Sequence, residues 1–197
     1  VGFDLHWAAQ SLGVLDTAEW IKARNPRVRI VLGGFTASVF AQEIMRDFPA
    51  IDAIICGDAE RPLIEFCRAV QAASTGRPLV LDGIPNLVWR DIQGSVRTNS
   101  SVYVITPAEL DQLDFTRFDL MRNWPAYRAR CYFWSDLEPP FLSNLYLMEI
   151  GRGCAYRCAF CGGNVEAQVC MNHRPLPVVR SVASALRSIE TAYAQGL

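Results

Sequence analysis

The chain has 197 residues, 51% hydrophobic and 20% charged, a balance that suits a globular protein with a core of its own. Nineteen basic residues face twenty acidic ones, and the formal charge of −1 leaves no electrostatic footprint for nucleic acid or an anionic membrane. No apolar run approaches the roughly 18 residues of a membrane helix, and seven cysteines, an odd number without a signal peptide, argue against a disulfide framework.

Residues 1–75 alternate strands and helices. Val1–Leu5 is predicted as a strand and Leu15–Ala23 as a helix, with Asp16 near its start and Asn25-Pro26 stopping it. Val28–Leu32, rich in β-branched residues, is the second strand, and Gly33-Gly34 turns it into a helix over 38–46. Ile51–Cys56 is the third strand, followed by Gly57-Asp58-Ala59-Glu60 and a helix over 61–72. Such alternation predicts an α/β fold, a partial doubly wound parallel sheet whose ligands bind beyond the carboxyl ends of its strands. Those ends carry Asp4-Leu5-His6-Trp7, Gly33-Gly34 and Gly57-Asp58. The glycine pair serves either a ligand's close approach or a tight turn. No G-x-G-x-x-G follows any strand, so a dinucleotide site is not supported. His6 reads better as a satisfied imidazole at a strand end than as a metal ligand. Glu60 reads as a helix N-terminal carboxylate, Asp58 as a loop cap, and His173 as solvated. Cys56 and Cys67 fall inside apolar patterns and read as small core residues.

Residues 76–143 lose the alternation and read as a linker. Leu87–Arg90 and Ser95–Thr98 flank Asp91-Ile92-Gln93-Gly94, a hairpin signal. Pro107, Pro125, Pro139 and Pro140 break up the rest. The dense aromatics (Phe115, Phe118, Trp124, Tyr127, Tyr132, Phe133, Trp134) are expected to pack between two domains.

Residues 144–197 begin with the apolar run Leu145–Ile150, expected as a buried strand ending at Gly151-Arg152-Gly153. Cys154, Cys158 and Cys161 follow in a C-x3-C-x2-C array, with Phe160 before the last and Gly162-Gly163 after it. Three thiolates on one short loop can hold three corners of a cubane iron–sulfur cluster and leave the fourth iron open. A structural zinc site needs four closed ligands, and Cys170 is far from any partner at short spacing. A two-cluster ferredoxin needs a second array, which is absent. Cys131 and Cys170 have no readable role. Arg152 and Arg157 flank the array and read as solvated or capping. Pro177–Arg180 leads into a helix with Val178, Val182, Leu186 and Ile189 near helical spacing. Both termini read as interior sequence, so the chain is expected to be a fragment.

Cys154, Cys158, Phe160 and Cys161 resemble the signature loop of the radical S-adenosylmethionine (SAM) superfamily. The resemblance implies that the three cysteines bind a 4Fe–4S cluster, that SAM chelates the open iron, and that the backbone around Phe160 lies along the adenine. It implies reductive cleavage of SAM to methionine and a 5′-deoxyadenosyl radical, which abstracts hydrogen from a small-molecule or macromolecular substrate. An electron donor such as flavodoxin or ferredoxin and a cytoplasmic, low-oxygen setting go with that chemistry. The strand–helix units resemble the cobalamin-binding domain that precedes the barrel in one radical-SAM subfamily. That family has an S-x-L pattern and then a G-G pair at the next strand end; here Asp4 and His6 replace the Ser and the Leu, and Gly33-Gly34 falls at the right separation. Asp4, Gly33 and Gly34 are therefore the expected cobalamin contacts, and methyl transfer through cobalamin is an expected extension. By the same resemblance, the strand, the cysteine loop and the following helix open a (β/α) partial barrel. Two rival classes stay open: an iron–sulfur electron-relay or ligand-sensing module without SAM chemistry, and a zinc-stabilised interaction domain.

Overall fold

The computed structural model describes residues 1–126 and 147–196. The chain divides into two compact units, Val1–Ile105 with Cys154–Leu176, and Thr106–Gly153 with Pro177–Leu197. No described helix is long and apolar enough to cross a membrane.

The first unit is built on a five-stranded sheet ordered β1 (Gly2–Asp4), β2 (Val31–Gly33), β3 (Ala53–Ile55), β4 (Leu87–Arg90) and β5 (Val96–Thr98). The first three strands are parallel, in the register Asp4↔Gly33 and Leu32↔Ile54. Side chains alternate across a strand, so each strand feeds two cores. Leu32 and Ile54 pack on one face with Leu5, Leu15, Ala18, Ile44 and Met45. Val31, Ala53 and Ile55 pack on the other with Phe66, Leu81 and Leu87. Burying each large aliphatic side chain contributes about 1.5–3 kcal/mol. The first face is covered by α1 (Ser11–Arg24), α2 (Phe35–Val39) and α3 (Ala41–Asp47), the second by α4 (Glu60–Ser74). At the amino end of β3, Asp52 accepts bonds from Lys22 Nζ (2.6 Å), Arg29 Nη1 (2.9 Å) and the Ile30 amide (2.8 Å).

The α/β class stands, and several local expectations change. The helix expected over 38–46 is two helices that break at Phe40, whose backbone leaves the helical region. The expected hairpin forms, and it lies in the sheet: β4 pairs antiparallel with β3, and β5 with β4. Cys56 is largely buried, and burial pushes its thiol up to about 11. Cys67 is exposed, a correction: α4 buries Pro62 and Phe66, and the residue next to Phe66 turns off that face.

The second unit contains α5 (Pro107–Gln112), a two-stranded antiparallel pair of β6 (Gly151–Arg152) and β7 (Val178–Val179), and a final helix (Val182–Ala194). Thr106 and Glu109 form a capping box at the start of α5. Of the run expected as a strand over 145–150, residues 145 and 146 lie outside the described residues; 147–150 are not strand, and pairing starts at Gly151. There the backbones crowd: a Cβ at Gly151 would lie 2.9 Å from the Val178 oxygen. Val178 is thus strand, not the first turn of a helix. The apolar stripe Val182, Leu186 and Ile189 is exposed, while Ser184, Ser188 and Ala192 are buried. The cause is Arg180, which is buried and donates to the Ser184 carbonyl and to the Ser184 and Ser188 hydroxyls, drawing the small face inward. Of the aromatics expected to pack between two domains, Phe115, Phe118 and Trp124 make their contacts within the second unit, where Phe118 and Trp124 stack at 4.3 Å and Arg180 lies over Phe115; Tyr127, Tyr132, Phe133 and Trp134 lie outside the described residues.

Candidate functional site

Two features of the first unit carry the residues singled out from the sequence. One is the carboxyl end of the parallel strands. Asp4 and Gly33 are register partners, and Gly34 follows at φ +100°, a conformation that favours glycine. A Cβ at Gly34 would stand 2.5 Å from Asp4 Oδ1 and 2.7 Å from the Leu5 carbonyl carbon. Asp4, Gly33 and Gly34 thus come together, and with Gly2, Val31, Ile55, Ala59 and Leu63 they line a mostly apolar cleft of about 390 Å³. Gly2, Asp4 and Gly33 lack bulky side chains there, so α4 reaches Val31 and Ile55 and leaves room over β1 and β2. His6 is exposed, its ring against Trp7 at 4.9 Å, and its carbonyl accepts from the Thr36 hydroxyl at 2.8 Å.

The other feature is the cysteine loop. Gly153 enters it at φ +93°. The Val165 amide donates to the Tyr156 carbonyl at 3.0 Å, closing the loop, and the Cys161 amide donates to the Cys158 carbonyl at 3.1 Å. Asn164 caps the helix α6 (Val165–Asn172) through the Ala167 amide, and its Nδ2 donates to the Cys158 carbonyl at 3.1 Å. The Tyr156 amide donates to Cys154 Sγ at 3.4 Å. All three cysteines are free thiols, Cys154 half-buried, Cys158 and Cys161 exposed. Nothing would meet a Cβ at Gly162, so the space beside Cys161 is open. Phe160 is 94% exposed, so it is not the core aromatic that its type alone suggests.

Soft thiolate donors on one loop suit an iron–sulfur cluster. The loop carries the three thiols without gathering them: among the described residues, no three His, Cys, Asp or Glu side chains are placed to hold a metal ion. Arg157 pairs with Glu166 and Arg152 with Glu149, while His173 is exposed in a left-handed conformation at the end of α6. α6 itself was not expected from the sequence, although Asn164 ahead of Val165 is a start signal. Nor did the sequence single out Arg174 and Gln168, both buried behind the loop.

In its fold the chain is similar to part of a solved cobalamin-dependent SAM radical enzyme. A solved structure of OxsB with aqua-cobalamin and SAM bound matches 99% of this chain and 23% of that one, with a TM-score of 0.60 and 16% identity. The structure of OxsB with aqua-cobalamin alone matches equally, at a TM-score of 0.59. The resemblance drawn from the cysteine loop and the strand–helix units is thus met at the level of the fold. In sequence, the chain is 28% identical over 149 residues to an uncharacterized methyltransferase of Pyrococcus horikoshii, covering 76% of this chain and 28% of the relative. It is 26% identical over 146 residues to the anaerobic magnesium-protoporphyrin IX monomethyl ester cyclase of Rubrivivax gelatinosus, covering 74% and 23%. The chain therefore spans about a quarter of the length of the proteins it matches. No protein-family model matches it.

Proposed function

We propose that this chain carries the cluster-binding and cobalamin-facing parts of a radical SAM enzyme. The observation that carries the reading is the C-x3-C-x2-C loop, three free thiols on eight residues, in the same compact unit as the strand-end cleft. Cys154, Cys158 and Cys161 would hold a 4Fe–4S cluster, the backbone at Phe160 would lie along SAM, and Asp4, Gly33 and Gly34 would face cobalamin. When bound, the cluster supplies the electron that cleaves SAM reductively to methionine and a 5′-deoxyadenosyl radical. The residues of this chain prepare for that. The thiols of Cys158 and Cys161 are exposed on the loop and open to become ligands. The Tyr156 amide donates to Cys154 Sγ and helps to orient it. Gly33 and Gly34 keep side chains out of the cleft floor, where a large planar ligand needs close backbone approach. The match to a methyltransferase supports methyl transfer as the reaction class; cobalamin as the methyl carrier and an electron donor such as flavodoxin or ferredoxin complete the proposal.

The test is anaerobic reconstitution of the full-length protein with iron and sulfide, followed by electron paramagnetic resonance with and without SAM. A cluster signal that changes on SAM addition is expected, and a protein that takes up no such cluster contradicts the reading. A second reading, an electron-relay module with a closed fourth ligand, is favoured by one observation: Cys170 is exposed on α6, the helix that follows the loop. Cys170→Ala is expected to leave the cluster intact; its loss would decide for the relay.

A further inference from the structure

Three polar side chains lie buried behind the cysteine loop: Asp58 at 4% exposure, Gln168 at 8% and Arg174 at 5%. Asp58 sits just past β3, 116 residues from Arg174. Its Oδ2 accepts from the Ile105 amide at 3.0 Å, and its Oδ1 accepts from Arg174 Nη2. Arg174 Nη1 donates to Gln168 Oε1 at 3.0 Å, and the Arg174 amide donates to the Gln168 carbonyl. Gln168 Nε2 donates to the Gly163 carbonyl at 3.4 Å, two residues past Cys161, and the Gln168 amide bonds the carbonyl of Asn164, which holds Cys158. In the other direction, the Gly57 amide donates to Ser38 Oγ at 3.0 Å, and that hydroxyl donates to the carbonyl of Gly34 in the cleft. The backbones meet closely as well: Gly57, at φ +76°, would put a Cβ 3.3 Å from Asn172 Cα.

An ion pair this deeply buried is a poor source of net stability, because desolvating both charges offsets their attraction, and two well-packed apolar residues serve as well or better. What the pair does supply is direction. A planar guanidinium with two aimed bonds admits one placement of α6, where apolar contact would admit several. We propose that Asp58, Arg174 and Gln168 are positioning residues, a polar strut that fixes the cysteine loop in one place relative to the strand-end cleft. A group held by the cysteines and a ligand in the cleft would then keep a set separation; this last step rests on the reading of those two places as cofactor sites.

The experiment compares the full-length protein with D58L/R174M, which removes both charges, and R174K, which keeps the charge and removes the fork. Hydrogen exchange is measured on the iron-free proteins, with thermal melting in parallel. For at least one of the two variants, the strut predicts a melting temperature within about 3 °C of the parent and faster exchange, by about tenfold or more, at the amides of Cys161, Val165 and Arg174. The β2 and β3 amides should keep their parental protection. A parent-like melting temperature with parent-like loop protection in both variants overturns the proposal. So does collapse of both variants with uniform loss of protection, since that makes the pair a general stabiliser. Iron uptake by the parent is read separately, so its failure would remove the cluster reading while the exchange data still decide on the strut.

Discussion

At the residue scale, Gly34 is the most constrained position beside the cleft. Its φ of +100° costs a side chain about 1–3 kcal/mol, and the clash with Leu5 backbone cannot be relieved by a rotamer change. Gly34→Ala should therefore lower thermal stability by several degrees, whereas Gly33→Ala, with nothing within 4 Å of the added carbon, should not. Equal melting temperatures for the two variants would contradict the strain at Gly34. The cysteines make a second prediction. Burial holds the Cys56 thiol neutral up to about 11, so it should resist alkylation near pH 8, while exposed Cys67, Cys158, Cys161 and Cys170 react first. Mass-spectrometric peptide mapping after a short pulse of iodoacetamide reads the order directly, and early labelling of Cys56 would be the contrary result.

At the scale of elements, the parallel strands and the helices packed on them were legible, because β-branched runs and glycine turns mark them. The cysteine spacing was legible for the same reason: it is local. The elements misjudged were those whose place is set by distant partners. The final helix carries Val182, Leu186 and Ile189 near helical spacing, yet Arg180 turns the serines inward, a contact that no periodicity encodes. α6 escaped notice because it buries only Gln168, and that side chain answers to Arg174 and, through it, to Asp58. The start of the final helix also carries a pH prediction. Bonds from Ser181 hold the Asp111 carboxyl below its usual range, and the Ser181 amide reaches it at 2.7 Å. A depressed carboxylate contributes stability that is complete above the unfolded value near 3.9 and is lost as pH falls through the folded one. Protection of the Ser181 and Ser184 amides, taken relative to their intrinsic exchange rates, should thus fall below about pH 4 in the parent, and be low at every pH in D111N. A flat profile in the parent would argue against the contact.

At the scale of the whole molecule, the fold is similar to part of a larger solved enzyme. The chain spans about a quarter of the length of its relatives. Within that quarter lie a cleft at the ends of parallel strands and a loop of three free thiols, both in one compact unit. We propose that the three thiols hold a cluster with one open iron. Its most direct measurement is the anaerobically reconstituted full-length protein titrated with SAM and followed by electron paramagnetic resonance. The expected result is a reduced cubane signal that shifts on SAM addition and disappears in C154A, C158A and C161A while surviving in C170A. A signal indifferent to SAM, or one lost in C170A, would contradict it.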